Sequence, residues 1–266
     1  MTLLAEILAR KAVEVAGRRA VLPEGELAAR AAATPRPRPL ADALSPPGGP
    51  VRVIAEVKRA SPSAGPIDAG LDAPAQAARY AAAGAAAISV LTDGPGFGGS
   101  LEDLSAVRTR VDAPLLRKDF VLERYQLLEA RAWGADAALL IVAALPGDLL
   151  RRRLDDCAAL GLSALVEVHD LAEAERAVAA GARIVGVNNR DLRTFRVDLA
   201  ASERVLPALP PGVMGVAESG IRTPADAQRL RRAGAANLLV GEALVRAPDP
   251  ARFLAELRAA PPGAAP

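Results

Sequence analysis

The stretch Tyr80-Ala-Ala-Ala-Gly84-Ala-Ala-Ala87-Ile-Ser-Val-Leu91 closes a helix and opens a strand, and the chain repeats this phrase. It returns as Ala130-Arg-Ala-Trp-Gly134 before Ala137-Ala-Leu-Leu-Ile-Val142, and as Cys157-Ala-Ala-Leu-Gly161 before Ala164-Leu-Val-Glu-Val168. Ala177-Val-Ala-Ala-Gly181 then precedes Arg183-Ile-Val-Gly-Val187, and Arg231-Arg-Ala-Gly234 precedes Asn237-Leu-Leu-Val240. In each copy a glycine stands where a helix C-cap needs a left-handed residue. Helix starts are marked too. Thr223-Pro224-Ala-Asp226 sets an N-cap, a first-turn proline and an acid in order, and Ser100 with Asp103 and Asp170 with Glu173 do the same job. Strands at Val51–Lys58, Pro114–Lys118 and Gly212–Ala217 bring the count to eight βα units. Nearly continuous apolar strands alternating with helices indicate an α/β protein with a parallel sheet under helices. Eight units point to a closed (β/α)8 TIM barrel. A doubly wound open sheet is the alternative, and the lack of a Gly-x-Gly-x-x-Gly fingerprint argues against it.

The length of 266 residues suits one such barrel with additions. Residues 1–45 fall outside the repeat. Leu3 to Arg18 reads as an amphipathic helix, Gly25 to Ala33 as a second, and Pro35-Arg-Pro-Arg-Pro-Leu as a stiff connector. The expectation is an N-terminal helical extension (1–45) across one end of the barrel, a catalytic barrel (46–258) and a disordered Pro/Gly/Ala tail (259–266).

Aromatics make up only 3% of the chain, so the core must be aliphatic. A formal charge of +2 with interspersed signs offers no basic stripe for nucleic acid. Cys157 is alone, which excludes an internal disulfide, and with His169 it makes a poor metal set; a core thiol is the expected reading. Glu6, Arg10 and Lys11 interrupt the first twenty residues, so no signal peptide is expected. No apolar run is long and charge-free enough for a bilayer, and a cytoplasmic protein is expected.

Barrel sites form at the C-terminal ends of the strands. The first strand ends in Ile54-Ala-Glu56-Val-Lys58 and breaks into Arg-Ala-Ser61-Pro-Ser-Ala-Gly65. Side chains alternate along a strand, so Ile54, Glu56 and Lys58 share a face. An unpaired buried charge is costly, and a polar face there is tolerated only where it opens into a site. The third strand ends in Lys118 and the fifth in Glu167. Asn188 ends the sixth with Arg190 just beyond, and Glu218-Ser219-Gly220 ends the seventh. Lysines crowded among glutamates should have coupled, perturbed proton affinities, as acid–base catalysis needs. Any one of these could be a satisfied rim residue; the set is harder to dismiss. Ser219-Gly220 and Gly241-Glu242 place bare amides and a hydroxyl after strands seven and eight, where barrels often hold phosphate.

These residues resemble the indole-3-glycerol phosphate synthase family of tryptophan biosynthesis. The likeness runs from Leu4-Ala-Glu-Ile7 with Lys11 through Glu56-Val-Lys58-Arg-Ala-Ser61-Pro62-Ser63, Leu116-Arg-Lys118-Asp119-Phe120, Tyr125-Gln126 and Gly134-Ala-Asp136. It continues through Leu165-Val-Glu167-Val168-His169, Gly186-Val-Asn188-Asn189-Arg190-Asp191-Leu192, Glu218-Ser219-Gly220-Ile221 and Val240-Gly241-Glu242-Ala243-Leu244. The resemblance implies a carboxy-lyase that needs no metal or organic cofactor and no obligatory protein partner, nucleic acid or membrane. It would convert a small phosphorylated substrate, 1-(2-carboxyphenylamino)-1-deoxyribulose 5-phosphate, to indole-3-glycerol phosphate with loss of CO2 and water. By that likeness Lys118 would be the general acid in ring closure, and Glu167 would handle protons in condensation and dehydration. Lys58 would either hold the anthranilate carboxylate or act as the dehydration acid. Glu56 and Asn188 would position these groups, while Ser61, Phe97, Arg190 and Glu218 would bind substrate. Ser219, Gly220, Gly241 and the Glu242 amide would hold the phosphate.

Two positions depart from the family pattern. Gly96 stands where the first of two adjacent aromatics is usual, leaving Phe97 alone for the substrate ring, and Ala64 replaces a common Lys or Arg. Both bear on loop closure rather than on the acid–base set. Two rival readings are open to test: an aldolase- or isomerase-like barrel with Lys118 as a Schiff-base nucleophile, and a non-enzymatic scaffold, which would call for a large exposed apolar patch.

Overall fold

A computed structural model of the chain describes residues 2–62, 65–191, 194 and 196–259. Its centre is a closed barrel of eight parallel strands: β1 (Arg52–Val57), β2 (Ala87–Leu91), β3 (Leu115–Lys118), β4 (Ala137–Ile141), β5 (Ser163–Val168), β6 (Ile184–Asn188), β7 (Met214–Glu218) and β8 (Asn237–Val240). Each strand pairs with its sequence neighbours, and β8 closes on β1 with Val53 opposite Leu238. The glycines that punctuate the repeat behave as their position requires: Gly84, Gly134, Gly161, Gly181 and Gly234 all have positive φ. The helix starts follow the sequence as well. Thr223 and Asp226 form a reciprocal capping box, and Ser100 and Asp170 accept from the amides of Asp103 and Glu173.

Period-two alternation divides the strand residues between two cores. Val53, Ala55 and Val57 of β1 face outward, joining residues such as Val90, Leu140, Val166 and Val185 against the helical layer. Ile54 faces inward with Ala87, Leu116, Leu139, Leu165, Ile184, Val216 and Leu239, which fill the lumen. Continuing the inward face two residues along β1, β3, β5 and β7, and four along β6, reaches Glu56, Lys118, Glu167, Glu218 and Asn188. The lumen is thus apolar below and charged at its mouth. Cys157, on α8 (Leu149–Ala159), is a buried thiol whose burial pushes its pKa up to about 12.

The N-terminal residues serve both ends of this barrel. Leu40 and Leu44, on and just after α3 (Leu40–Ala43), join the lumen core. There the Leu40 amide donates to Ser163 Oγ, and the Ser45 amide donates to Asn237 Oδ1, both at strand starts. At the opposite end α1 (Leu3–Val21) brings Leu3, Leu4 and Ile7 to the wall of the mouth. Between them α2 (Glu24–Ala33) packs Leu27 and Ala31 on Tyr125 and Leu128 of α7 (Arg124–Ala132). Of the tail 259–266, only Ala259 lies within the described residues. Among these residues no helix is long and apolar enough to cross a membrane.

Candidate active site

The mouth opens into a cavity of about 710 Å³. Every sequence-predicted site residue, from Glu56 on β1 and Lys58 just after it to Gly241 and Glu242 after β8, lines it. The acidic and basic groups form two linked clusters. Lys58 Nζ lies 2.7 Å from Glu56 Oε1. Lys118 Nζ lies 3.3 Å from Glu167 Oε2 and 3.5 Å from Glu218 Oε2. Burial works against the Lys118 ammonium, but Glu167, Glu218 and Glu56 outweigh it and hold the amine above the ordinary lysine range. Glu56 is held below the usual carboxylate range: burial opposes its charge, but Lys58, Lys118 and Arg190 overcome that cost. Glu218 goes the other way. Burial, with Glu167 and Glu56 nearby, pushes it up to about 8 despite Lys118. One carboxylate therefore stays ionised at neutral pH while its neighbour stays largely protonated.

Glycines make room for this arrangement. A Cβ on Gly186 would come within 3.0 Å of Glu218 Oε1, and one on Gly241 within 3.0 Å of Glu56 Oε1. Gly241 was singled out for its amide; the structure adds that Glu56 fills the space its side chain would take.

After β7 the chain turns sharply. Ser219 has φ 64° and is the one non-glycine residue with positive φ among those described; Gly220 follows with φ 79°. Such strain persists only where surroundings over-determine it. Asn189 supplies the restraint, its Nδ2 donating to the carbonyls of Glu218 and Ser219 and its Oδ1 accepting from the Ser202 amide. Gly241 then caps α12 (Glu242–Arg246), whose first amides have no acceptor within the helix. Half-buried Arg190 faces Arg222 and Glu242, and Asn188 Oδ1 accepts from the Arg190 amide at 3.0 Å.

The opposite wall is apolar. Phe97 ends α5 (Gly94–Phe97) and meets Phe120 with ring centroids 6.3 Å apart, beside Leu3, Leu4 and Ile7. Phe97 is therefore not the only aromatic at the cavity. Gly96 sits against the carboxylate that caps α5: its amide donates to Asp93 Oδ2, and a Cβ there would crowd that oxygen. Arg59, just after β1, reaches the segment after β2 through the Gly98 carbonyl and the Asp103 carboxylate. Ser61 is buried in a short antiparallel ribbon, Ala60–Ser61 with Gly65–Pro66. The Ala64 departure lies outside the described residues, as does Ser63.

Sequence reading missed the support for this wall. Lys11 of α1 is fully buried, 2.8 Å from Asp93 Oδ1 and 3.0 Å from Asp119 Oδ1. Asp119 also takes Arg117 at 2.9 Å and the Thr92 hydroxyl at 2.7 Å, and these cations hold its carboxyl well below the usual range. The signal was available: Ile7, Lys11 and Val15 share one helical face, so a lysine stands in an apolar stripe. Arg222 and Arg246 also line the cavity without having been singled out. Among the described residues no group of three His, Cys, Asp or Glu could hold a metal ion.

Comparison with known proteins gives a consistent result. The family model described as indole-3-glycerol phosphate synthase matches residues 4–257. A protein of that name from Opitutus terrae is 51% identical over 261 residues, covering 96% of this chain and 98% of its own. One from Streptomyces griseus is 50% identical over 260 residues, with 98% and 96% covered. Among solved structures, thiamine phosphate pyrophosphorylase from Pyrococcus furiosus shares the fold with a TM-score of 0.57 at 20% identity, over 78% of this chain and 93% of that one.

Proposed function

The chain belongs to the indole-3-glycerol phosphate synthase family, and from that premise we propose how its own residues carry the reaction. The enzyme converts 1-(2-carboxyphenylamino)-1-deoxyribulose 5-phosphate to indole-3-glycerol phosphate, losing CO2 and water. In ring closure the aromatic carbon bearing the carboxylate attacks the ribulose carbonyl. The new C–C bond forms as the carbonyl oxygen takes a proton, and the carboxylate leaves as CO2 to restore the ring. The resulting hydroxyl then leaves as water, and a proton from the five-membered ring goes to a base.

Lys118 is the proposed acid for the first step. The observation that carries this is its place against Glu167 and near Glu56, which keep the ammonium charged in the cavity. Glu167, in contact with it, accepts the ring proton and can return one to Lys118. Lys58, held by Glu56 at the rim of the same cavity, either binds the anthranilate carboxylate or protonates the leaving hydroxyl. Asn188 and Glu218 position the substrate hydroxyls, with Ser61 on the side of the Ala60–Ser61 ribbon. Phe97 and Phe120 pack its aromatic ring. The phosphate takes the other end, against the Ser219 hydroxyl, the amides of Gly220, Gly241 and Glu242, and the charge of Arg190 and Arg222.

Residues 46–258 are on this reading the catalytic unit, and residues 1–45 an extension that completes its apolar wall and its floor. On this reading the reaction calls on no obligatory protein partner, nucleic acid or membrane. A substrate carrying a phosphate and a carboxylate does not cross a bilayer unaided, and the cytoplasm is the proposed compartment.

The test is turnover of the carboxyphenylamino-deoxyribulose phosphate followed by indole fluorescence. Growth of signal in the wild type and its loss in Lys118→Ala, with substrate affinity retained, support the assignment; equal turnover in both sinks it. A Schiff-base role for Lys118 would need a neutral amine. Glu167 and Glu56 oppose that, and borohydride with a carbonyl substrate should trap no adduct.

A further inference from the structure

His169 is not used by the reaction as described, yet it touches its machinery. It lies two residues beyond Glu167, just past the end of β5, and its ring comes back against that carboxylate. Glu173 of α9 (Leu171–Ala180) fixes the ring: its Oε2 takes the His169 amide at 2.8 Å and lies 3.0 Å from Nδ1. A carboxylate there assigns the hydrogen to Nδ1. Nε2 is buried and, among the described residues, has no hydrogen-bond partner; it faces Glu167 Oε1 at 3.8 Å. A neutral ring would aim a lone pair at that carboxylate, whereas an imidazolium would aim a proton. Glu167 thus stands between two nitrogen groups, with Lys118 on Oε2 and His169 on Oε1.

We propose that His169 is a positioning residue whose Nε2 proton faces Glu167 Oε1, so that the proton affinity of Glu167 depends on the charge of the ring. This deepens the role given to Glu167 above and rests on it. The surroundings favour the charged ring. Burial disfavours the imidazolium, but Glu173, Glu167 and Glu218 outweigh it and raise the His169 pKa above its ordinary value. Asp170 is occupied capping α9 through the Glu173 amide, and Arg176 of α9 donates to the Leu145 carbonyl. Lys118 of β3 stands beyond Glu167, and the turn after β4, residues 142–145, carries no titratable side chain.

The chain has a single histidine, so imidazole NMR follows one resonance set without assignment. Titration of the wild type should give a midpoint above about 6.5, and Glu167→Gln should lower it by about one unit. Coupling is reciprocal, so His169→Asn should move the acid limb of the kcat profile to higher pH by a similar amount, with KM changed less than about twofold. A His169 midpoint indifferent to Glu167→Gln overturns the proposal, even if His169→Asn fails to fold. An acid limb unmoved in a folded His169→Asn overturns it as well. The NMR arm needs no substrate, so failure of the catalytic assignment would show separately, as absent turnover with the His169–Glu167 coupling intact.

Discussion

Glu218→Gln should make the protein more stable in alkaline solution than the wild type. The wild-type carboxyl is buried beside Glu167 and Glu56, which raises its pKa from 4.5 to about 8. The unfolded chain releases this proton near its ordinary value, so between those limits the native state binds one proton more. Stability from this group is therefore fully present below about pH 4.5 and is lost as pH rises through the folded value. Each unit in that window removes about 1.4 kcal/mol. From pH 5 to pH 8 the sum is about 4 kcal/mol; relaxation of Lys118 and its neighbours makes roughly half of that a reasonable floor. The amide does not titrate and keeps the shape. The Tm advantage of Glu218→Gln should therefore widen by about 4–16 °C between pH 5 and pH 8, then level off. The comparison is of paired Tm values at each pH, so that groups titrating alike in both proteins cancel. A Tm difference that is flat from pH 5 to pH 9 would refute the reasoning. It would show that Glu218 ionises in the native state with no penalty, either by hydration or by a closer contact with Lys118.

Three further outcomes are expected. Lys11→Met takes the buried ammonium from between Asp93 and Asp119, leaving Asp119 to Arg117 and Asp93 to Arg10, and should cost about 3–5 kcal/mol by chemical denaturation; in the folded fraction KM should rise more than kcat falls, because Phe97 loses its support. Gly241→Ala forces Glu56 aside, and a loss of about 1–3 kcal/mol with a fall in kcat at unchanged fold should be seen by denaturation and kinetics. Full activity there would mean that Glu56 moves freely. Glu167→Gln should lower kcat by about 100- to 10,000-fold with little effect on KM, and near-normal turnover across pH would remove its proton-transfer role.

Much of this was legible because each signal is local. Gly84 and Gly181 stop helices by backbone conformation, Thr223 and Asp226 start one through a hydrogen bond between neighbours, and Leu165 and Glu167 share a face by strand period alone. The strand ends were legible for the same reason, since a barrel orients all its C-termini alike. The α1 contribution was not, because Lys11 meets partners 82 and 108 positions away (Asp93 minus Lys11; Asp119 minus Lys11). Nothing in helix periodicity says which acids a buried lysine will find. The roles of Gly186 and Gly241 as space for Glu218 and Glu56 were hidden in the same way, being relations between adjacent strands in register rather than along one.

These hidden relations share a physical logic. An apolar lumen could be capped by apolar residues at lower cost, yet here three glutamates and two lysines converge over it. Glu218 is held largely protonated and Glu56 ionised within one field, so the site stores electrostatic strain that only compensating geometry sustains. Gly186 and Gly241 give up side-chain packing to admit the two carboxylates. Lys11 gives up its hydration, and Asp93 and Asp119 theirs, to fix the aromatic wall beside them. Relieving the strain at Glu218 should therefore raise alkaline stability and lower turnover together, whereas relieving it at Lys11 should lower both. That opposite pairing separates groups strained for chemistry from groups buried for position.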